Sequence, residues 1–250
     1  MILRTRLAAL AGILLAGALS GCSAAADPPA GDSAKAPALK PAAAGTALEA
    51  LTRLTVKGPA SMTGYERERK FGPACSDHTT APGSGNSCDS RNDVLRRDLR
   101  NITFKRGSRC VVATGLLDDP YTGRRINFVR GPHSALVQID HAVALAASWR
   151  TGAAQLTQTQ REALGNDPLN LIAAFGPANT AKSDSDASAW LPPRSSFRCT
   201  YVARQIAVKT KYRLWVTRPE KAAMSSVLSS CPNELLPTDT SKGVALPNVQ

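Results

Sequence analysis

Of the three histidines in the chain, one sits where an imidazole could move a proton. His78 lies in a Gly/Pro/Ser-rich loop and His133 in a Gly131-Pro132-His133 turn, and both read as solvated surface residues. His141 follows the β-like run Leu136-Val137-Gln138-Ile139 and is preceded by Asp140, so an acid and an imidazole leave a strand end together. Neighbours on a regular strand point to opposite faces, but where the chain turns both can serve one site. Histidine is the side chain that supplies a base near neutral pH without a large pKa shift. Taken alone, the dipeptide is also what a surface Asp-His pair in a loop looks like. Other chemistries are excluded by what the sequence lacks: it has no HExxH, no paired CxxC, no glycine-rich phosphate loop and no GxSxG.

The elements that must hold these residues are short. A chain of 250 residues with 43% apolar content can bury one ordinary core or two small ones. Leu48, Leu51 and Leu54 are spaced for one helical face and can open the folded part. Between Tyr65 and Val129 the pattern turns to β-like pieces: Ile102 to Lys105, Cys110 to Leu117 and Ile126 to Val129. Asp118-Asp119-Pro120-Tyr121-Thr122-Gly123 has the Pro and Gly placement of a turn, which makes the last two a β-hairpin. Thr157-Gln158-Thr159-Gln160 is a capping-box sequence that opens a helix running towards Gly165. Leu169 to Ile172 reads as a strand or turn, and Asn179 begins a polar segment ending at Pro192-Pro193.

Downstream, Cys199, Val202, Ile206 and Lys209 mark one helical face, and Thr217-Arg218-Pro219-Glu220 opens a second helix whose apolar face is Met224, Val227, Leu228 and Cys231. Two antiparallel helices joined this way bring Cys199 beside Cys231. Cys75, Cys88 and Cys110 then remain in the same region, and one of the three must be left over.

Export is written in the first residues. Arg4 and Arg6 precede an apolar run from Leu7 to Leu19, followed by Ser20-Gly21-Cys22, the layout of a secretory signal too short for a membrane span. Leu19-Ser20-Gly21-Cys22 resembles the lipobox of bacterial lipoproteins, which implies cleavage before Cys22 and its lipidation. Residues 1–21 are thus a signal peptide. Residues 22–60, rich in Ala, Pro, Gly and Ser, read as a disordered tether. An oxidising compartment suits disulfides. The formal charge of +12 favours polyanionic partners, while 5% aromatic content leaves few platforms for reading single strands by stacking.

The order of several blocks carries a resemblance. Asp140-His141-Ala142-Val143-Ala144-Leu145, Asn166-Asp167-Pro168-Leu169-Asn170-Leu171 and Asn179-Thr180-Ala181-Lys182-Ser183-Asp184 resemble the three successive signatures of HNH endonucleases, in the variant whose last histidine is an asparagine. Asn92 to Leu99, Asp119 to Gly123, Trp190-Leu191-Pro192-Pro193 and Tyr201 to Gln205 look like the exported HNH-family (lipo)proteins of actinobacteria. The likeness spans roughly residues 63 to 232. It implies an α+β fold with a ββα-metal (HNH/His-Me finger) core, to which a β-hairpin and a C-terminal helical pair are added.

Carried over residue by residue, the resemblance makes His141 the general base, Asp140 and Asn179 the metal ligands, and Asn170 the asparagine that ties the loop between the strands. Lys182, one turn on, is placed to neutralise phosphate charge. The chemistry agrees: hard oxygen donors suit Mg²⁺ or Mn²⁺, with Zn²⁺ less suited because no thiolate is present and the imidazole is committed to catalysis. Asp184 and Asp186 are left out of the site. Where relatives have tryptophan this chain has Cys75, whereas Cys88, Cys110, Cys199 and Cys231 are shared; the resemblance therefore pairs Cys88 with Cys110 and Cys199 with Cys231.

Arg91, Arg96, Arg97 and Arg100, and Arg124, Arg125 and Arg130 in the hairpin, together suit a phosphate-tracking surface of low sequence preference. The sequence thus predicts a nuclease domain over 61–232 with a flexible tail at 233–250. It would hydrolyse DNA, and RNA as an extension, outside the cytoplasm and anchored to the membrane only through its N-terminal lipid. The rival reading is a noncatalytic lipoprotein that binds polyanions on the same basic surface.

Overall fold

The computed structural model describes residues 45–248. The signal peptide, Cys22 and the first part of the tether lie outside the described residues.

The folded body starts before residue 61. Helix α1 (Ala47–Arg53) is capped by Thr46, whose hydroxyl accepts from the Glu49 amide, and it buries Ala47, Ala50 and Leu51. These pack against two long helices near the C-terminus, α7 (Arg198–Lys211) and α8 (Arg218–Leu228). An antiparallel bridge joins Thr46 to Leu235, and a parallel one joins Val56 to Val216. At the other end Leu236 and Val244 are buried in the same core. Apolar residues at both margins therefore bring residues 45–60 and 233–248 into the domain, beyond the 61–232 expected, and α1 forms where Leu48, Leu51 and Leu54 are spaced for a helix that opens the folded part.

The first sheet is antiparallel, in the order β1 (Leu99–Phe104), β2 (Val112–Asp118), β3 (Arg125–Val129), and the β2–β3 hairpin turns at Asp119–Gly123. The Asp119 carboxylate accepts from the amide and hydroxyl of Thr122, which closes that turn. One face of the sheet is covered by a helix that the hydrophobic pattern does not announce, α3 (Ser90–Asp98), capped by Asp89. Val94 and Leu95 of α3 pack on Leu99, Val112, Leu117, Ile126 and Phe128.

The second sheet has two strands, β4 (Val137–His141) and β5 (Leu171–Phe175), antiparallel with His141 opposite Leu171. Every residue of β5 is apolar, because the strand is buried on both faces. Leu171 and Ala173 face the α3 cluster, while Ile172 and Ala174 face the main core. Strand β4 runs on through Asp140 and His141 rather than stopping before them.

Between β4 and β5 lie α4 (Leu145–Arg150) and α5 (Gln158–Asn166), the latter with both halves of the Thr157/Gln160 capping box formed. Directly after β5 comes α6 (Gly176–Lys182), which packs on both strands. It stands where a polar segment is expected from Asn179 onwards; Pro177 in the first turn favours helix because its missing N–H is not needed there. A five-residue helix, α2 (Arg67–Phe71), sits against α5 and α4.

Two disulfides, Cys88–Cys110 and Cys199–Cys231, staple α3 to the strand margin and α7 to the end of α8, and Cys75 is a free thiol. Among the described residues no helix is long and apolar enough to cross a membrane.

Candidate active site

The alternation of β4 sends Asp140 inward, and the interior is built to receive it. It is 5% exposed. Its Oδ1 accepts from Lys182 Nζ at 2.9 Å, and its Oδ2 accepts from the hydroxyl of Tyr121. Tyr121 is buried and ringed by Trp190, Phe197 and Tyr201 at centroid distances of 5.1 to 6.1 Å. Burial raises the Asp140 pKa, opposed first by the charge of Lys182 and then by the Tyr121 hydrogen bond. Lys182 also donates to the carbonyl of His141, 2.8 Å away.

His141, the next residue, is fixed by helix α5. Its Nε2 lies 2.9 Å from the carbonyl oxygen of Gly165. A carbonyl can only accept, so Nε2 carries the hydrogen and Nδ1 is left as the proton acceptor. Burial drives the pKa of the ring down to about 4; the Gly165 hydrogen bond opposes this, while Arg67 and Lys182 add to it. The imidazole is therefore neutral at pH 7 with Nδ1 free of hydrogen, and burial makes it a weaker base than the unshifted histidine that the sequence suggests.

Asn170, fully buried, ties the loop between the strands to the chain that follows His141. Its Oδ1 accepts from the Val143 amide at 2.8 Å, its Nδ2 donates to the carbonyls of Val143 and Leu164, and its own carbonyl accepts from the Ala142 amide. The loop that carries it is gripped from behind. Buried Arg204 donates to the carbonyls of Pro168 and Leu169, and Arg97 to those of Pro168 and Leu171. Asp167, also buried, accepts from Tyr212 and pairs with Lys211.

On α6, Asn179 donates its Nδ2 to Gln138 Oε1 at 2.8 Å, which turns its amide oxygen away from that bond. Asp140, His141 and Asn179 all line one cavity of about 300 Å³, together with Tyr65, Arg67, Ser183 and Asp184. Asp184 is held below the usual carboxylate range chiefly by its hydrogen bond from Arg150, 2.7 Å away.

The residues that could hold a metal here are Asp140 and Asn179. Asp140, Asp184 and Asn179 line the cavity, and each Asp140 oxygen, with one hydrogen bond, keeps a lone pair for a cation. Among the described residues no three His, Cys, Asp or Glu side chains converge on one point. That sparse, all-oxygen set fits Mg²⁺ or Mn²⁺, which retain waters, better than Zn²⁺.

Two expectations need correcting. Lys182 is 1% exposed and does not line the cavity, since its ammonium is spent on Asp140 and the His141 carbonyl. It neutralises a buried carboxylate, not a phosphate. The phosphate-tracking arginines separate in the same way. Arg97, with a side chain 3% exposed, bonds to Asp98 and three backbone carbonyls. Arg91 donates to the carbonyls of Ser134 and Val137, and Arg130 to Asn92 and Val112. Arg96 stacks on Phe104 and bonds to Asn248. Arg124 lies over the Phe175 ring, and Arg100 and Arg125 share Asp118; these three keep exposed guanidinium groups. An arginine in a sequence looks the same whether it faces water or caps a carbonyl.

Sequence reasoning also missed Tyr65, Arg67 and Gln138. The only available signal was a charged stretch flanked by Tyr65 and Phe71, which nothing local links to His141.

The fold and the cavity define an α+β domain of small sheets in which a neutral histidine shares a pocket with Asp140, Asn179 and Asp184. The family of GmrSD restriction endonucleases, C-terminal domain, matches residues 89–227. An uncharacterized secreted protein of Arthroderma benhamiae (strain ATCC MYA-4681 / CBS 112371) is 38% identical over 190 residues, which is 75% of this chain and 86% of that protein. No solved structure matches. The chain belongs to the family of the GmrSD restriction endonuclease C-terminal domain, a nuclease family.

Proposed function

We propose that this protein is an extracytoplasmic HNH-type endonuclease that hydrolyses phosphodiester bonds of DNA, and of RNA as an extension, with little sequence preference. The observation that carries the reading is the His141 ring, held through Nε2 by Gly165 and facing the cavity shared with Asp140 and Asn179. The succession of β4, β5 and α6 around that cavity supports a ββα-metal core.

In the reaction, Nδ1 of His141 takes a proton from a water as its oxygen attacks the phosphorus. The bond from phosphorus to the leaving oxygen breaks, and that oxygen takes a proton from solvent. Asp140 and Asn179 would hold a divalent cation, which supplies Lewis-acid stabilisation of the charge on the phosphoryl and leaving oxygens. Asn170 keeps the backbone after His141 in place. Lys182 and Tyr121 hold the Asp140 carboxylate in one orientation.

Export is supported by the two disulfides and by the secreted relative. Anchoring through a lipid on Cys22 belongs to the proposal. The test is nicking of supercoiled plasmid by the oxidised protein with Mg²⁺, with Mn²⁺ and with chelator, beside His141→Ala. Cleavage that needs metal and is lost in the variant supports the nuclease. DNA binding without cleavage under each metal moves the assignment to a polyanion-binding lipoprotein.

A further inference from the structure

A phosphodiester approaching His141 brings a negative charge into a cavity that already contains two carboxylates, Asp140 and Asp184. Each of these is neutralised by its own partner. Lys182 is consumed by Asp140, and Arg150 by Asp184, through both its side chain and its backbone carbonyl. Neither cation lines the cavity, and each is already turned to its carboxylate. Arg67 differs: it lines the same cavity, it is exposed, and no hydrogen bond or ion pair engages its guanidinium among the described residues. It also lines the adjoining cavity with His141, Gly165 and Cys75, so it stands where the two hollows meet beside the imidazole.

Its position is not that of a loose surface side chain. Tyr65 on one side stacks edge-on against Trp149 at 5.8 Å and Phe71 at 6.2 Å, and Phe71 on the other side is 2% exposed. The backbone between them is tied to α5, where Arg161 donates to the Lys70 carbonyl at 2.9 Å and Gln158 to that of Arg69 at 3.2 Å. The neighbouring cations are occupied, with Arg69 paired to Glu66 and Lys70 over the Trp149 ring. Arg67 is thus an uncommitted charge presented from a backbone segment fastened at both ends. It also lies upstream of the segment that the family matches, residues 89–227.

We propose that Arg67 is the phosphate-binding residue of this site, supplied by the N-terminal segment and pairing with the phosphodiester attacked beside His141. This rests on the nuclease reading above. A guanidinium presents a planar fork that matches two phosphate oxygens at once, which a lysine cannot reproduce. Charge that grows on the phosphoryl oxygens as water adds strengthens that pairing, so Arg67 acts on the transition state more than on the bound substrate.

The experiment compares Arg67→Ala, Arg67→Lys and the control Arg69→Ala with the unaltered protein. It measures plasmid nicking in Mg²⁺, and fluorescence anisotropy of a labelled 16-base-pair duplex in the His141→Ala background, with near-UV circular dichroism reporting folding. The expected result is a fall in nicking of roughly 100-fold for Arg67→Ala, a smaller fall for Arg67→Lys, and Arg69→Ala within about twofold of the unaltered protein. The salt dependence of duplex binding should weaken by about one phosphate contact. Folded Arg67→Ala that nicks at the unaltered rate overturns the assignment and leaves the nuclease reading standing. If the unaltered protein cleaves nothing, the nuclease reading falls and the anisotropy decides: a reduced salt slope keeps Arg67 as a phosphate contact, and an unchanged slope removes it.

Discussion

At the scale of single residues, the site is a set of side chains whose freedom has been removed. His141→Ala should reduce cleavage by a factor of about 10² to 10⁴, the usual contribution of a general base, with duplex affinity nearly intact. In the metal-free protein, an NMR titration should find the His141 ring still neutral at pH 5.5. Because its folded pKa is depressed from 6.5 to about 4 by burial, His141 contributes stability that is present above pH 6.5 and lost as pH falls through 4. Asp93 on α3 works the other way. Burial lifts its pKa to about 6, so its contribution is complete below pH 3.8 and lost as pH rises through 6. Asp93→Asn should therefore flatten the stability profile between those values and raise stability at pH 7, measured by urea denaturation.

Lys182 shows what a residue's type cannot convey. Sequence order puts a cation near the site, and only the fold decides which anion it meets. Lys182→Met should cost about 3 to 5 kcal/mol, because it strands the Asp140 carboxylate in the interior. Cleavage would fall together with stability. A lysine facing substrate would instead lose turnover with the denaturation midpoint unchanged.

Elements were legible wherever a single short signal determined them. The capping boxes at Thr157 and Thr217 mark helices that form with both reciprocal hydrogen bonds in place. The turn residues of the β2–β3 hairpin specify it locally. Helix α3 was not legible, because Ser90–Asp98 is mostly polar and carries few apolar residues to set a period; it is fixed by its Asp89 cap and by the sheet it covers. Helix α6 was hidden for a similar reason, its small residues Gly176, Ala178 and Ala181 giving no period to read.

The His141, Asn170 and Asn179 cluster could be read from the order of three blocks, whereas the α2 wall could not, since it lies some 70 residues away in sequence with no shared pattern. Asn170→Ala removes the acceptor for a buried Val143 amide and should cost roughly 1 to 3 kcal/mol in thermal or chemical unfolding.

The whole molecule depends on its margins and its staples. The disulfides close stretches separated by 22 and 32 residues, and each should contribute about 3 to 4 kcal/mol by restricting the unfolded chain. Reduction should lower the melting temperature markedly, and an intact mass showing five free thiols in a form that begins after Cys22 would rule the bonds out. A chain trimmed to residues 61–232 uncovers the face of α7 and α8 that α1 occupies, and it should fail to give a cooperative transition.

One helix binds the two sides of the cavity into a single fate. The last turn of α5 provides the Gly165 carbonyl that seats His141, and its outer side chains Arg161 and Gln158 hold the backbone of Lys70 and Arg69. If α5 frays, the imidazole and the opposite wall are released in one event, not in sequence. Amide hydrogen exchange should therefore report one shared opening free energy for α5 and for the stretch from Tyr65 to Phe71, and weakening the Thr157 cap should accelerate exchange in both by the same factor.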